Sequence, residues 1–477
     1  MSEPSLALGT VVEAIIEKGV YRGRGLARVE GRVVFVDRGL PGDRVRARVT
    51  KTNACFAEAR FSSLEQPSPA RVAARCVHVE RCGGCRLQEL PYEDQLRLKE
   101  RQVREALRHI GGLADPPVRT IVPAPSAWGY RNKMEFSFAP GEPTPDGLVP
   151  PVLGLHERGT FDRVFELKEC WLPSPLTVEI VRFTQAFAAQ HRWRAYHPSR
   201  HDGVARFLTV RHLSHTRSCA VQLLAASADL PGLEVWARGV AALSPEVRTV
   251  TLGLNTGRAH VAFAESERAL IGDGTLVERL LGLEFEVVAN AFLQTNSAQA
   301  EALYEGALAA AALSGGERVL DLYCGTGTLT LLFARAAAEA VGVESVPDSI
   351  ERARLNAARN GAANARFELG EARAVLREWA RGERPGSPRP DVVVLDPPRA
   401  GLHPRVVARV AELTPSRIVY VSCNPATLAR DLKDFGALGW RPAEVTPYDM
   451  FPHTPHIECV TRLERAGPSA ARDLTGA

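Results

Sequence analysis

The stretch Arg318-Val-Leu-Asp-Leu-Tyr-Cys-Gly-Thr-Gly-Thr328 constrains this chain more than any other. Arg318–Leu322 reads as a buried strand, followed by a glycine loop that opens a helix. A second strand, Ala340–Val343, ends at Glu344. Pro347 sits where a helix would begin and Asn360-Gly361 where it would end. Asp391–Leu395 and Arg417–Val421 are further strands, with helical stretches between them and a surface loop at Arg381–Pro390. Strands alternating with helices give an α/β class and a doubly wound parallel sheet, over residues 286–466.

At 477 residues the chain is too long for one ordinary domain. With 45% hydrophobic and 24% charged residues it is neither disordered throughout nor fibrous. It has no apolar run long enough to span a bilayer, and Met1–Thr10 lacks the pattern of a signal peptide. A cytoplasmic protein without a membrane partner is expected, acting as a monomer. The net charge of +4 is uneven: residues 1–64 hold eleven basic and seven acidic side chains, and the rest balance. Short strands there, with Asp43–Val49 alternating valine and arginine, predict a small OB-like β-barrel over 1–66. Gln66-Pro-Ser-Pro69 reads as a linker, and Tyr92–Ile110 as an amphipathic helix with Leu96, Val103, Leu107 and Ile110 on its apolar face. Residues 67–285 form a central region, mixing strand-like and helical patterns from residue 120. Residues 467–477 are expected to be a disordered tail.

Nine cysteines without a signal peptide argue for metal binding or catalysis rather than disulfides. Cys76, Cys82 and Cys85 lie on a glycine-containing turn where three thiolates can converge, and Cys170 is the candidate fourth ligand. Four thiolates serve either zinc or iron–sulfur. The short two-plus-two zinc spacing is absent.

In the C-terminal region the glycine loop sits at the carboxyl edge of the sheet, and Glu344 ends the next strand, where a carboxylate can accept both hydroxyls of a ribose. The Asp-x-x-x-Gly-x-Gly pattern suits a nucleoside cofactor, and the full dinucleotide fingerprint is missing. Asp396-Pro-Pro-Arg399 follows a third strand, its prolines fixing the backbone so that Asp396 faces the cleft. Cys423, after a strand and before a helix, stands where a thiolate would be stabilised and where a nucleophile would act. His453 and His456 read as structural, whereas Glu458 is a cap, a surface acid or a general base.

Taken together, DLYCGTGT, DPPRAGL, SCNPATLARDL and FPHTPHIE, in this order, resemble the RNA uridine-5 methyltransferase family, which makes 5-methyluridine in tRNA and ribosomal RNA. The resemblance implies a class I (Rossmann-like) methyltransferase domain, a central α/β domain with an iron–sulfur cluster, and an N-terminal TRAM barrel. It implies S-adenosylmethionine as cofactor, with Gln294, Tyr323, Thr328, Glu344, Glu371 and Asp396 lining its site. Thr328 and Glu371 depart from the residues common in the family at those positions. It further implies that Cys423 adds to uracil C6 and that Glu458 removes the C5 proton.

The cysteine loop is similar to that of members carrying a [4Fe-4S] cluster on Cys76, Cys82, Cys85 and Cys170. Barrel and cluster together favour 23S rRNA over tRNA as the partner, read as a single-stranded loop with its base flipped out. Arg22, Arg24, Arg44, Arg46 and Arg48 are candidate phosphate contacts. The competing readings are the same chemistry on tRNA, methylation of RNA cytosine C5 or an exocyclic amine, and an iron–sulfur RNA-binding or redox-sensing protein without methyltransferase activity.

Overall fold

A computed structural model of the chain describes residues 6–381 and 389–466. The tail expected at 467–477 and most of the Arg381–Pro390 loop lie outside the described residues.

Alternation of apolar and polar residues sets the first unit. Strands β1 (Val11–Val20), β2 (Arg24–Val29), β3 (Arg32–Val36), β4 (Arg44–Thr52) and β5 (Phe56–Gln66) close into a barrel in the order β1-β2-β3-β5-β4. Along β4 the side chains of Val45, Ala47 and Val49 point into the barrel core, and the arginines between them face solvent. Gln66–Pro69 is not a free linker. The buried Asp43 carboxylate accepts from the Ser68 amide at 2.9 Å and from Arg71 at 2.8 Å, pinning the segment to the barrel.

Helix α1 (Tyr92–His109) follows. Its Val103 and Leu107 pack into the same core as Leu320, Tyr420 and Leu428 of the C-terminal region. Ile110, expected on that apolar face, is the C-cap and stays 45% exposed, because the helix ends one residue before it.

The central region contains β6 (Lys133–Pro140), β7 (Pro151–His156), β8 (Val164–Glu166), α2 (Pro175–Gln190), β9 (Ala205–Leu213), β10 (Ser218–Ala225), α3 (Leu233–Ala242), β11 (Val247–Leu254) and β12 (Ser266–Ile271). These strands form one sheet, ordered β12-β11-β10-β9-β6-β7-β8, in which β10 and β11 are parallel and α3 makes the crossover. A hairpin, β13 (Thr275–Leu280) with β14 (Leu283–Val288), leads out of it.

The C-terminal region begins with α4 (Ser297–Ala311) and runs β15 (Arg318–Leu322), α5 (Thr328–Ala334), β16 (Glu339–Glu344), α6 (Pro347–Arg359), β17 (Ala365–Leu369) and α7 (Ala372–Ala380). It continues with β18 (Val392–Leu395), α8 (Pro404–Glu412), β19 (Arg417–Ser422), α9 (Pro425–Ala437), β20 (Trp440–Tyr448) and β21 (Glu458–Arg465). The sheet order is β17-β16-β15-β18-β19-β21-β20, with the first five parallel and β21 antiparallel to both β19 and β20. Helices cover both faces, so the interior of the parallel strands is largely apolar, and β18 is apolar at every position. Val392 and Val394 point into one core, Val393 and Leu395 into the other.

Candidate active site

Sheet register builds the site. Leu322 pairs with Val343 on one side and with Leu395 on the other. The residues that follow those three strand positions are therefore side by side at the carboxyl edge: Glu344, Tyr323 and Asp396. Tyr323 adopts φ +66° as it leaves β15, and its amide donates to Val343 O at 2.9 Å. Gly325 and Gly327 also take positive φ, turning the chain sharply into α5. A Cβ on Gly325 would meet nothing within 4 Å, so the loop presents open backbone beside Glu344. The Glu344 carboxylate accepts from the Gly325 amide at 3.2 Å, which ties the glycine loop to the end of β16.

Of the other residues expected here, Thr328 is the first residue of α5. Glu371 is the N-cap of α7, exposed, and its charge reaches Tyr323. Gln294 lies in the loop before α4, its carbonyl accepting from Asn132 Nδ2 at 2.9 Å. Asp321 was quoted in the glycine motif without a role of its own. It is fully buried and accepts from Thr330 Oγ1 at 2.5 Å, while its Oδ1 has no partner among the described residues. Burial, with Asp396 and Glu344 close by, pushes its carboxyl up to about 7. Asp396 remains partly reachable by solvent, yet burial also pushes it up to about 7.

Cys423 and Glu458 meet through the antiparallel edge. Tyr420, Val421 and Ser422 pair with Thr461, Val460 and Cys459, and Cys423 and Glu458 flank the end of that ladder, within electrostatic reach of each other. Burial and the nearby Asp396 hold the Glu458 carboxyl well above the usual range. Burial, Glu458 and Asp396 push the Cys423 thiol up to about 11, opposed by Arg399. The thiolate expected from the start of α9 is therefore not the resting form. Burial is the main reason, and the helix start offers little to oppose it: the Asn424 side chain caps the Ala426 amide at 3.1 Å, its own amide donates to Ser422 Oγ, and Pro425 has no N–H to offer.

Two residues not expected here join the site. Arg399, in the Asp-Pro-Pro-Arg turn, is the described cation that pulls both Cys423 and Glu458 toward ionisation. Tyr21, from the tip of the β1–β2 hairpin, points its hydroxyl at the Cys423 carbonyl at 3.4 Å. Arg399 was legible as part of its motif, whereas nothing in the sequence links Tyr21 to a position 402 residues away. The loop before β21 is held rigidly. Lys99 reaches Asp449 at 2.5 Å and the Phe451 carbonyl at 3.1 Å; His453 stacks on Trp128 with ring centroids 3.8 Å apart. His453 and His456 are both pushed down to about 4, chiefly by burial.

Cys76, Cys82, Cys85 and Cys170 line one cavity of about 480 Å³. The His78 and Gly84 amides point at the sulfurs of Cys76 and Cys82, each at 3.4 Å. Burial, and the charge of the neighbouring sulfurs, push the Cys85 thiol up to about 12. Among the described residues, no three side chains of the metal-binding types converge on a point that a single ion would occupy. The four cysteines instead share the lining of that one cavity. Of the barrel arginines, Arg24 pairs with Glu58, Arg46 with Glu13, and Arg48 donates to the Gly9 carbonyl; Arg22 sits at the hairpin tip beside Tyr21.

The chain is similar to known proteins over nearly its whole length. The family described as tRNA (Uracil-5-)-methyltransferase matches residues 220–466, and the TRAM domain matches residues 6–61. An uncharacterized RNA methyltransferase of Bacillus cereus is 36% identical over 97% of this chain and 98% of its own length. One from Chlorobaculum tepidum is 37% identical over 96% of this chain and 97% of its own length. The crystal structure of Pyrococcus abyssi tRNA (uracil-54, C5)-methyltransferase in complex with S-adenosyl-L-homocysteine is similar with a TM-score of 0.73 and 28% identity, covering 94% of this chain and 99% of that one.

Proposed function

The chain belongs to the RNA uridine-5 methyltransferase family, and from that premise we propose that it methylates C5 of a uridine in 23S rRNA through Cys423 and Glu458. The observation that carries this reading is that Cys423 and Glu458 flank the end of the β19–β21 ladder within reach of each other and of Asp396, beside the row Glu344, Tyr323 and Asp396. That row and the open glycine loop fit a nucleoside cofactor, with an unpaired buried carboxylate oxygen of Asp321 at its foot. S-adenosylmethionine held there supplies a positively charged sulfonium and an electrophilic methyl for C5. Gln294, Thr328 and Glu371 complete the set proposed to hold it.

Uracil C5 alone is a poor nucleophile. Cys423 Sγ gives an electron pair to C6, and the C5–C6 π pair moves toward O4, so that C5 becomes nucleophilic. After C5 has gained its fourth substituent, a Glu458 oxygen takes the C5 proton. The C5–C6 double bond re-forms and Sγ leaves with its pair. Burial disfavours the charged form of both groups, so Cys423 must first give its thiol proton to solvent to add as the thiolate, and Glu458 must be a carboxylate when it accepts the C5 proton. Arg399 is placed to favour the thiolate and the carboxylate when each is needed. Amine methylation requires neither group.

The four cysteines are proposed to hold a [4Fe-4S] cluster. Four thiols that line one cavity suit a body larger than one ion, and amide donors on two sulfurs suit thiolates. Nine unpaired cysteines favour a reducing compartment, hence the cytoplasm. A second RNA reading has its own support. The P. abyssi tRNA enzyme is similar over 94% of this chain, barrel included, so the barrel does not by itself separate rRNA from tRNA. Labelled methyl transfer to unmodified 23S rRNA and unmodified tRNA, with the modified nucleoside mapped by mass spectrometry, decides between them. 5-Methyluridine in rRNA is expected; the same product in tRNA alone moves the substrate, and an N-methylated base removes the chemistry.

A further inference from the structure

A cavity of about 510 Å³ opens where three parts of the chain meet: the β1–β2 hairpin tip, the cysteine loop and the catalytic loops. Tyr21, Arg22, Arg86, Arg399, Asn424 and His456 are on its wall, and no carboxylate is. It adjoins Cys423 directly, through Asn424 and through the Tyr21 hydroxyl on the Cys423 carbonyl. Elsewhere on the molecule arginines are widely paired with acids. Arg22, Arg86 and Arg399 have no acidic partner within 4 Å among the described residues.

The hairpin is fixed in this place, not loosely apposed. Arg22 takes φ +70° and Gly23 φ +68°, a turn with two left-handed positions. A Cβ at Gly23 would come within 2.9 Å of Arg86 and 3.3 Å of Pro455, so only glycine lets the tip approach this closely. Arg86 Nη1 donates to the Arg22 carbonyl at 2.8 Å. Further back along β1, Lys18 pairs with Glu105 at 3.1 Å and Gln102 Nε2 donates to the Gly19 carbonyl at 3.3 Å, both on α1.

We propose that this cavity is an anion subsite that holds a backbone phosphodiester of the RNA next to the target uridine, with Arg22, Arg86 and Arg399 as its cations. It makes the barrel a wall of the active site and not merely a tether. The inference rests on the proposed action on RNA. A flipped uridine reaching Cys423 brings its flanking phosphates within a nucleotide's length of the sulfur. Three guanidinium groups without acidic partners, around a concavity that no carboxylate lines, are suited to a phosphate. Positive charge is felt by the neighbouring imidazole: after burial, Arg399 and Arg86 are among the groups that depress His456.

The test is a double-mutant cycle between protein and RNA, on the full-length enzyme. The probe is a synthetic stem–loop RNA with one loop uridine, in which each loop phosphodiester in turn is replaced by a neutral methylphosphonate. Binding is read as a function of salt, and 5-methyluridine formation is read in parallel. At one linkage flanking the uridine, neutralisation is expected to weaken wild-type binding about tenfold and flatten the salt slope by about one charge. Arg22→Ala is expected to show the same loss with the native RNA and no further loss with the neutral linkage. Arg22→Lys restores the salt slope, and S-adenosylmethionine affinity stays unchanged in both variants. Additive losses at every linkage would overturn the subsite, whatever the enzyme methylates. Coupling at that linkage without 5-methyluridine would keep the subsite and remove the proposed chemistry.

Discussion

Glu458 and Cys423 both lie just past the Ser422–Cys459 pair that ends the antiparallel ladder of β21 and β19, close enough for the Glu458 charge to act on the thiol. Adjacent strands lie about 5 Å apart, so a base placed here faces the same ring atoms that the sulfur attacks. If Glu458 removes the C5 proton, Glu458→Gln still lets Cys423 add but stops release. The variant should accumulate a covalent protein–RNA species, with turnover lowered by about 10²–10⁴. Denaturing gel mobility of labelled RNA reads this out, and a variant that is slow without any adduct would remove the base assignment.

Arg399 is the described cation that favours ionisation of Cys423, whose thiol is otherwise pushed up to about 11. In the free enzyme the thiolate fraction grows through the neutral and alkaline range. The logarithm of kcat/KM should therefore rise with pH below that value, at close to unit slope. Arg399→Gln removes the opposing charge, moves the thiol further up and lowers kcat/KM most at neutral pH. A pH profile identical to that of the wild type would show that Arg399 does not act on Cys423.

Asp321 and Asp396 are held at about 7, whereas unfolded carboxyls ionise near 4. Between those values the native state keeps protons that the unfolded chain has released. Stability is therefore full below about pH 4 and falls as pH rises toward 7. Asp321→Asn should flatten this decline, by up to about 4 kcal/mol for a fully buried group. Thermal unfolding of the ligand-free protein between pH 5 and pH 8 checks the sign.

Lys99 and Asp449 are both fully buried and hold the loop that leads into β21. Lys99→Ala strands the Asp449 charge and should cost about 3–5 kcal/mol. Replacing both by apolar residues of similar size should recover much of that stability. Methyl transfer should still suffer, because the Phe451 carbonyl then keeps only the donors of its own loop, Thr454 N and Oγ1, and loses its tie to α1.

Much of the C-terminal sheet was legible because parallel strands covered on both faces are mostly apolar runs with turn residues at their ends. Arg318–Leu322 and Arg417–Val421 fall within β15 and β19 for that reason. The central region was not. Every residue of β10 is buried, so its sequence lacks the alternation that marks an antiparallel strand. In the site, residues lying just past strand ends could be named from their motifs. What the motifs do not carry is the electrostatics: a helix start suggested a thiolate at Cys423, but Asn424 takes up the nearby donors, and burial beside two carboxylates outweighs the rest. Tyr21 shares no motif with Cys423, since packing alone brings the barrel tip to it.

The cysteine cavity makes its own prediction. Protein prepared without oxygen should contain iron and acid-labile sulfide, about four of each per chain, with a broad visible absorption. Cys85→Ser should lose most of it. One zinc per chain, bound by the wild type and lost with the same variant, would replace the cluster by a single ion.

The most direct measurement uses RNA in which the target uridine carries fluorine at C5. Fluorine cannot leave as a proton, so an enzyme that attacks C6 through Cys423 is halted as a covalent adduct. Intact-mass analysis and peptide mapping should find the RNA on Cys423 after incubation with S-adenosylmethionine, and none on Cys423→Ala. Methylated uridine made by the wild type with no adduct on the fluorinated RNA, or activity retained by Cys423→Ala, would contradict the account.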